Sequence, residues 1–465
     1  MINKIKNFIL GNMINIIIGI VTIPITTRLL SPEQYGIASF YETIITLFSL
    51  VSFLGIDQGF MRYYYEEKEY QRGDLLKKCI RFTGLIFLIL IFISVILKKM
   101  KYVSINNDIY FLIILGSFIY ILNRFTIIVI RMKQNIKFYS ILITLNQVFK
   151  FLLIIIIYKK YGNDYKVIIY SSILASFITF FLGRYFEKES WKVYDKMKTE
   201  MKEIIKYSFP LCFNVLAIWI FQSSDKIMLK YLSNTYQLGI YSASFKIISI
   251  LSLIQQGFTT FWTPIAYEKY TQDKNNLTFF NKIFNNIQIL IFLGIILIFL
   301  IKDIIIYFLG TKYLEVNRVF PFLVFIPTMY LLSEITVLGL SFKKKSKLNM
   351  SLTIIVSLIN IILNFLFIPN LGAIGAAISS GITYILFFVL RTFFSLKVLN
   401  FNFDLKKVYL GIILSVFYAS ELVFYDDNYI NFLTGIIIII ILGVSYFKIL
   451  KENFESIRVI LKNRK

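Results

Sequence analysis

Apolar residues arrive in blocks of roughly 18 to 25, separated by short polar stretches, along the whole chain. A block of that length, wound at about 1.5 Å per residue, crosses a hydrocarbon layer about 30 Å thick. Of the 465 residues 57% are hydrophobic and only 16% are charged, against about a quarter charged in soluble domains. Mean hydropathy is +0.72. Lipid is therefore the expected solvent for most of the chain. In lipid a spanning segment must satisfy its own backbone hydrogen bonds, and these runs do not alternate as barrel strands do. The expected fold class is an all-α membrane protein.

About fourteen spans are expected. Six lie near residues 8–28, 37–56, 79–97, 108–130, 138–158 and 167–186. Six more lie near 204–222, 239–261, 284–301, 319–342, 348–368 and 374–396, and a last pair near 408–424 and 430–447. The formal charge of +24 would suit a nucleic-acid partner on a soluble basic domain, but no such domain is present. The charge sits in short loops. With a cytoplasmic N-terminus, about 35 of the 50 Lys and Arg fall on the inside and about 12 outside, the bias that orients membrane proteins. The even span number returns the basic tail, from Lys448 onward, to the cytoplasm. Cys79 and Cys212 lie in or beside spans, so no disulfide framework is expected. The chain has no histidine, which removes the commonest proton relay and metal ligand. No cleavable leader is expected, because the first apolar stretch lacks a small-residue cleavage pattern.

An internal repeat is visible. Leu30-Ser31-Pro32-Glu33-Gln34-Tyr35-Gly36-Ile37-Ala38-Ser39 in the first half is matched by Leu232-Ser233-Asn234-Thr235-Tyr236-Gln237-Leu238-Gly239-Ile240-Tyr241-Ser242-Ala243 in the second. Downstream, Gln58-Gly59-Phe60 and Tyr65-Glu66 are matched by Gln256-Gly257-Phe258 and Tyr267-Glu268. Both repeats start from the same side after six spans, so a pseudo-two-fold axis along the membrane normal is expected. The implied division is an N-lobe over 1–186, a basic cytoplasmic linker over 187–203, a C-lobe over 204–396, and two further spans with a tail over 397–465.

Those motifs resemble the Wzx-type oligosaccharide flippases of the multidrug/oligosaccharidyl-lipid/polysaccharide exporter superfamily. The carriers are the Leu30 to Gly36 stretch, Gly55-Ile56-Asp57-Gln58-Gly59 to Arg62, Asp225-Lys226-Ile227-Met228-Leu229 and Gly239-Ile240-Tyr241-Ser242. The most distinctive run is Asn360 through Asn364, Ile368-Pro369, then Gly372 and Gly375-Ala376-Ala377. The resemblance implies two six-helix lobes working by alternating access in a bacterial cytoplasmic membrane. It also implies transfer of undecaprenyl-pyrophosphate-linked oligosaccharide to the outer leaflet for capsule, O-antigen or another surface polymer. No cofactor, metal or nucleic acid is expected, and a monomer is.

A diphosphate headed for the far leaflet needs cations inside an apolar wall, and a central Lys or Arg costs ~3 kcal/mol or more on insertion scales. Lys150 lies mid-span, with Asn146 and Gln147 four and three residues before it on one helix face. Arg124 lies inside the preceding span, and a guanidinium grips phosphate at two points. This pair is expected to bind the diphosphate, with Lys246 as a third cation and Arg28, at a span end, as a further ligand. The competing reading is ion pairing with Glu42, Asp225 or Glu334. Those carboxylates are also the candidates for coupling to a proton or sodium ion. Asp225 is expected to begin an interfacial stretch. Pro24, with Gly19, is expected to hinge the first helix as a gate.

Two other classes compete. A membrane-embedded polymerase or glycosyltransferase is expected to carry a large outer loop or an Asp-x-Asp motif, and the sequence has neither. A multidrug exporter of the same superfamily would need an acidic or aromatic pocket, whereas the charges within these spans lean positive.

Overall fold

The computed structural model describes residues 2–100, 106–274, 277–425 and 427–462. The last three basic-tail residues, 463–465, lie outside the described residues. Every described regular element is helical. The chain separates into two compact units, Met1–Tyr231 and Leu232–Lys465.

In the first unit α1 (Ile2–Leu29) leads to α2 (Pro32–Phe53), the short α3 (Ile56–Tyr63), α4 (Arg72–Lys99), α5 (Asn107–Met132), α6 (Ile136–Tyr161), α7 (Lys166–Phe186) and α8 (Met201–Leu232). The second unit holds α9 (Thr235–Gln272), α10 (Thr278–Leu300) and α11 (Lys302–Tyr307), then α12 (Val316–Leu323), α13 (Phe325–Thr336) and α14 (Leu338–Phe342). It closes with α15 (Ser346–Val398), α16 (Leu405–Phe424) and α17 (Asn428–Lys462). Among the described residues twelve helical segments are long and apolar enough to cross a membrane. One of them, α15, is 53 residues long and breaks at Gly372 (φ 55°), so it supplies two crossings. With the 28-residue α1 the expected fourteen spans are reached. The surface agrees. Leu88, Phe92, Ile156, Phe365, Leu366 and Val444 are each more than half exposed, tolerable only where the surroundings are as apolar as the side chains.

Local signals explain the helix ends. Ser31 is extended (φ −72°, ψ 157°) with Pro32 opening α2, where proline's missing N–H is unpaired in any case. Asn234 caps α9, its side chain accepting from the Gln237 amide. The two copies of the repeat motif thus each start a helix. They then diverge. In the first unit Leu54 (φ 44°) and Gly55 (φ 77°) break the chain between α2 and α3, two residues before the end expected at 56. In the second unit α9 runs unbroken through Gln256-Gly257-Phe258. The span expected over 319–342 is three short helices in series, with Pro321 inside the first and Pro327 in the first turn of the second.

Small residues set the closest approaches, as in membrane bundles that lack a hydrophobic drive between helices. Ala376 and Ala377 are fully buried, and a Cβ on Gly381 would stand 2.8 Å from the Phe322 carbonyl oxygen. Aromatic and aliphatic side chains fill one core of the first unit, where Phe53, Phe60, Leu76, Phe125 and Val129 meet Met197 and Ile204. The last two tie the segment expected as a linker, and the start of α8, to this core. Two carboxylates fasten it further. Glu67 accepts from the backbone amides of Lys198 (3.0 Å) and Thr199 (2.8 Å), and Asp74 accepts from that of Met197 (3.0 Å).

Candidate functional site

A cavity of about 360 Å³ opens within the first unit. Its walls are α2 (Thr46, Leu50, Phe53), the α2–α3 turn (Gly55, Asp57, Gln58), α5 (Tyr120, Arg124) and α8 (Cys212, Val215, Trp219, Ser223). The break at Leu54 and Gly55 makes this geometry. It ends α2 and starts α3 on a new axis, placing Asp57 in the first turn of α3, where a carboxylate suits the helix dipole. A side chain at Gly55 is doubly excluded: its φ is positive, and a Cβ would lie 2.4 Å from the Ser208 carbonyl oxygen of α8.

Arg124 Nη2 donates to Asp57 Oδ2 at 3.1 Å. The Asp57 side chain is 12% exposed and that of Arg124 is 37% exposed, so the guanidinium is the more open partner. Asp57 is the hydrogen-bond partner that Arg124 has among the described residues, and a guanidinium carries five N–H donors. Arg124 itself lines the cavity. Trp219 Nε1 donates to Thr46 Oγ1 at 3.4 Å across the wall.

A second ion pair lies on the same helix α2. Lys150 Nζ on α6 donates to Glu42 Oε1 at 2.6 Å. Glu42 and Thr46 are four residues apart and share a face of α2, but Lys150 is not among the residues lining the cavity. Arg124 and Lys150, expected as one diphosphate clamp, each hold a carboxylate, and only Arg124 lines the cavity. Asn146, expected to present its amide alongside Lys150, donates to Thr179 Oγ1 at 3.0 Å. Gln147 is exposed.

The remaining expected residues are dispersed. Arg28 is exposed near the end of α1, and Lys246 is exposed on α9 in the second unit. Glu334 on α13 accepts from Arg391 Nη1 at 3.3 Å. Asp225 lies within α8, which continues past 222 to Leu232, and it is 4% exposed. Pro24 sits within a continuous α1, where the Thr26 and Thr27 hydroxyls donate to the Ile23 carbonyl. A Cβ on Gly19 would meet no atom within 4 Å.

Two buried charged groups escaped the sequence reading. Asp57 appeared there only within a family motif, yet it neutralises Arg124. Its adjacency to a glycine-broken span end was the available signal. Arg391, 5% exposed, donates to Ser333 Oγ (2.7 Å) and Asn349 Oδ1 (3.0 Å) and stacks 4.7 Å over Phe387. An arginine two turns inside an otherwise apolar block was the signal there.

Residues 3–268 match the family described as polysaccharide biosynthesis protein. The chain belongs to that family. A membrane protein of Methanocaldococcus jannaschii, described as uncharacterized, is 24% identical over 455 residues, spanning 92% of this chain and 88% of its own. Among solved structures, a lipid II flippase MurJ in an inward closed conformation superposes with a TM-score of 0.70 at 17% identity, covering 95% of this chain and 99% of its own. An inward-facing multidrug resistance MATE family transporter of the MOP superfamily superposes at 0.61 with 14% identity, covering 86% and 95%. At such identities the likeness establishes the fold. Family and fold together make this a multi-pass membrane protein of the polysaccharide biosynthesis family.

Proposed function

We propose that this protein is a flippase that carries undecaprenyl-pyrophosphate-linked oligosaccharide across the bacterial cytoplasmic membrane, its N- and C-termini in the cytoplasm, for surface-polysaccharide biosynthesis. The supporting observation is the Arg124–Asp57 pair in the cavity wall. In the empty site Asp57 compensates a cation that would otherwise be costly in a bilayer. An arriving diphosphate offers Arg124 more acceptor oxygens than Asp57 does, in the two-point geometry a guanidinium prefers. The pair therefore opens for an anion and closes behind it. The division into six plus six plus two spans belongs to the same reading, as does alternating access about a first helix hinged at Gly19 and Pro24. Lys150, Lys246 and Arg28 are further candidate contacts for the phosphates, and Asn146 and Gln147 for the sugars. Glu42, Asp225 and Glu334 are the candidates for a coupled proton or sodium ion. The protein acts as a monomer and catalyses no covalent chemistry.

A second reading is a multidrug exporter, favoured by Asp57, Tyr120 and Trp219 in one cavity, a set that suits an organic cation. One assay separates them. Protein in vesicles is given a labelled lipid-linked oligosaccharide or an aromatic cation, and leaflet exchange or efflux is followed for Arg124→Ala, Arg124→Lys and Asp57→Asn. The flippase reading expects glycolipid exchange to fall at least tenfold in Arg124→Ala and less in Arg124→Lys, with no cation efflux. Full exchange in Arg124→Ala would sink it. Cation efflux lost in Asp57→Asn would favour the exporter.

A further inference from the structure

A second cleft of about 370 Å³ lies in the first unit at the face where three connections meet: the α3–α4 turn, the α5–α6 turn and the segment after α7. The geometry points to a saccharide-binding site here, distinct from the Arg124 cavity and shaped for the sugar rings rather than the phosphates of the substrate. It rests on the flippase reading only for the identity of that sugar.

The charged groups of the lining are mixed in sign. Arg72, Lys133 and Lys192 line the cleft together with Glu69 and Glu189, and Glu187 holds Lys133 at 2.7 Å. Three cations and two carboxylates thus line the cleft, and Glu187, which is not part of the lining, pairs with Lys133. Each cation is engaged: Lys192 Nζ donates to Glu189 Oε1 at 2.8 Å, and Arg72 Nε donates to the carbonyls of Tyr64 (3.0 Å) and Glu67 (3.3 Å). The cleft thus offers carboxylate acceptors beside its N–H donors, a mixture that a ring of hydroxyls can satisfy.

The aromatic lining points the same way. Tyr64, Tyr70 and Tyr194 border the cleft, and Tyr70 and Tyr194 are 44% and 60% exposed. An exposed tyrosine offers a flat apolar face with a polar tip at small entropic cost, and aliphatic C–H groups of a sugar ring pack on such faces. The Tyr194 hydroxyl donates to Glu189, which orients both groups. Hydrogen bonds from Lys192 and Tyr194 hold the Glu189 carboxyl below its ordinary range, so it remains an acceptor at neutral pH. The floor is rigid, because the backbones of Gly73 and Lys192 touch: a Cβ at Gly73 would overlap the Lys192 carbonyl oxygen at 1.8 Å. The volume is in the range of small-ligand sites.

The test uses full-length protein in nanodiscs and soluble, lipid-free di- to tetrasaccharides of hexoses, N-acetylhexosamines and hexuronic acids, with inorganic pyrophosphate as a parallel probe. Saturation-transfer NMR reads binding. Some members of the panel are expected to bind, with affinity falling at least fivefold in Tyr70→Ala and in Tyr194→Ala, both exposed positions that tolerate truncation. Glu189→Gln is expected to change which sugars bind. No saccharide signal across the panel, or a signal unmoved by both tyrosine variants, would overturn the proposal. So would pyrophosphate binding that disappears in Lys192→Ala without any saccharide signal, since that marks an anion site. The flippase reading fails separately: intact glycolipid exchange in Arg124→Ala removes it and leaves tyrosine-dependent saccharide binding standing.

Discussion

Lys150 Nζ on α6 and Glu42 Oε1 on α2 are 2.6 Å apart, a contact that joins two helices 108 residues apart in sequence. Both side chains keep some exposure, 22% for Lys150 and 37% for Glu42. The pair is therefore only partly buried, and its role in transport can be separated from its role in stability.

Lys150→Ala leaves Glu42 without this partner. Breaking a fully buried pair costs about 3–5 kcal/mol, and the residual exposure here lowers the expectation to about 1–3 kcal/mol. Thermal unfolding in detergent should show the loss. A Glu42→Gln, Lys150→Met double variant should recover most of it, because neither charge is then stranded. If Lys150 also contacts substrate, transport stays low in the double variant although stability returns. Recovery of both would assign the lysine to architecture alone.

The Arg391 cluster in the second unit predicts a larger effect. Its guanidinium is buried and joins Glu334 on α13 to Asn349 and Phe387 on α15. Arg391→Lys keeps the charge but loses the planar fork and the ring stacking, and Arg391→Met leaves Glu334 uncompensated. Destabilisation of roughly 1–2 kcal/mol for the lysine and about 3–5 kcal/mol for the methionine is expected. Chemical denaturation of the reconstituted protein measures both. Equal losses would show that charge alone matters.

Much of the fold was legible because the bilayer leaves few choices: block length gives the spans, and loop charge gives their expected orientation. The site was less so. Lys150 and Arg124 stood out as isolated charges in apolar blocks, and Glu42 was available as a partner. The Asp57–Arg124 pairing depends on a break at Leu54 and Gly55 that turns α3 toward α5, and hydropathy carries no record of a change in helix axis. The polar residues from Gln222 to Lys226 look like a span end, yet α8 continues through them to Leu232. The carboxylates of Glu67 and Asp74 bond to backbone amides more than 120 residues away, contacts that no local pattern encodes.

Gly372 is a point of backbone constraint. Its φ of 55° is unfavourable for any side chain, and a Cβ there would stand 2.7 Å from Gln237 Oε1, the same atom that accepts from the Ala373 amide at 2.9 Å. Gly372→Ala should cost about 1–3 kcal/mol from the backbone alone, because φ 55°, ψ −127° is a conformation that only glycine adopts readily, and more if Gln237 is displaced. Gln237→Ala combined with Gly372→Ala removes the clash and leaves the backbone term. A double variant no more stable than Gly372→Ala would mean that the side-chain contact is unimportant.

The strap formed by Glu67 should respond to acid. Burial alone would raise this carboxyl, but hydrogen bonds from Thr199 and Lys198 and the nearby Lys198 charge outweigh it and set the group below its ordinary range. A carboxylate depressed in the folded state contributes stability above its unfolded value, near 4.3, and loses it as pH falls through the folded value. The strap is therefore fully present at neutral pH and released only under acid. Amide exchange at Lys198 and Thr199, corrected for the intrinsic pH dependence, should be slow at pH 7 and accelerate only as pH falls through the lowered value of Glu67. Glu67→Gln keeps the shape but not the charge, so it should raise exchange at those two amides already at pH 7, while helices remote from the strap stay protected. Because the strap holds the segment that feeds α8, and α8 lines the Arg124 cavity with Trp219 and Cys212, labelling of Cys212 by a thiol reagent should quicken in the same variant. Unchanged exchange and labelling would show that the Met197 and Ile204 packing holds the segment without the carboxylate.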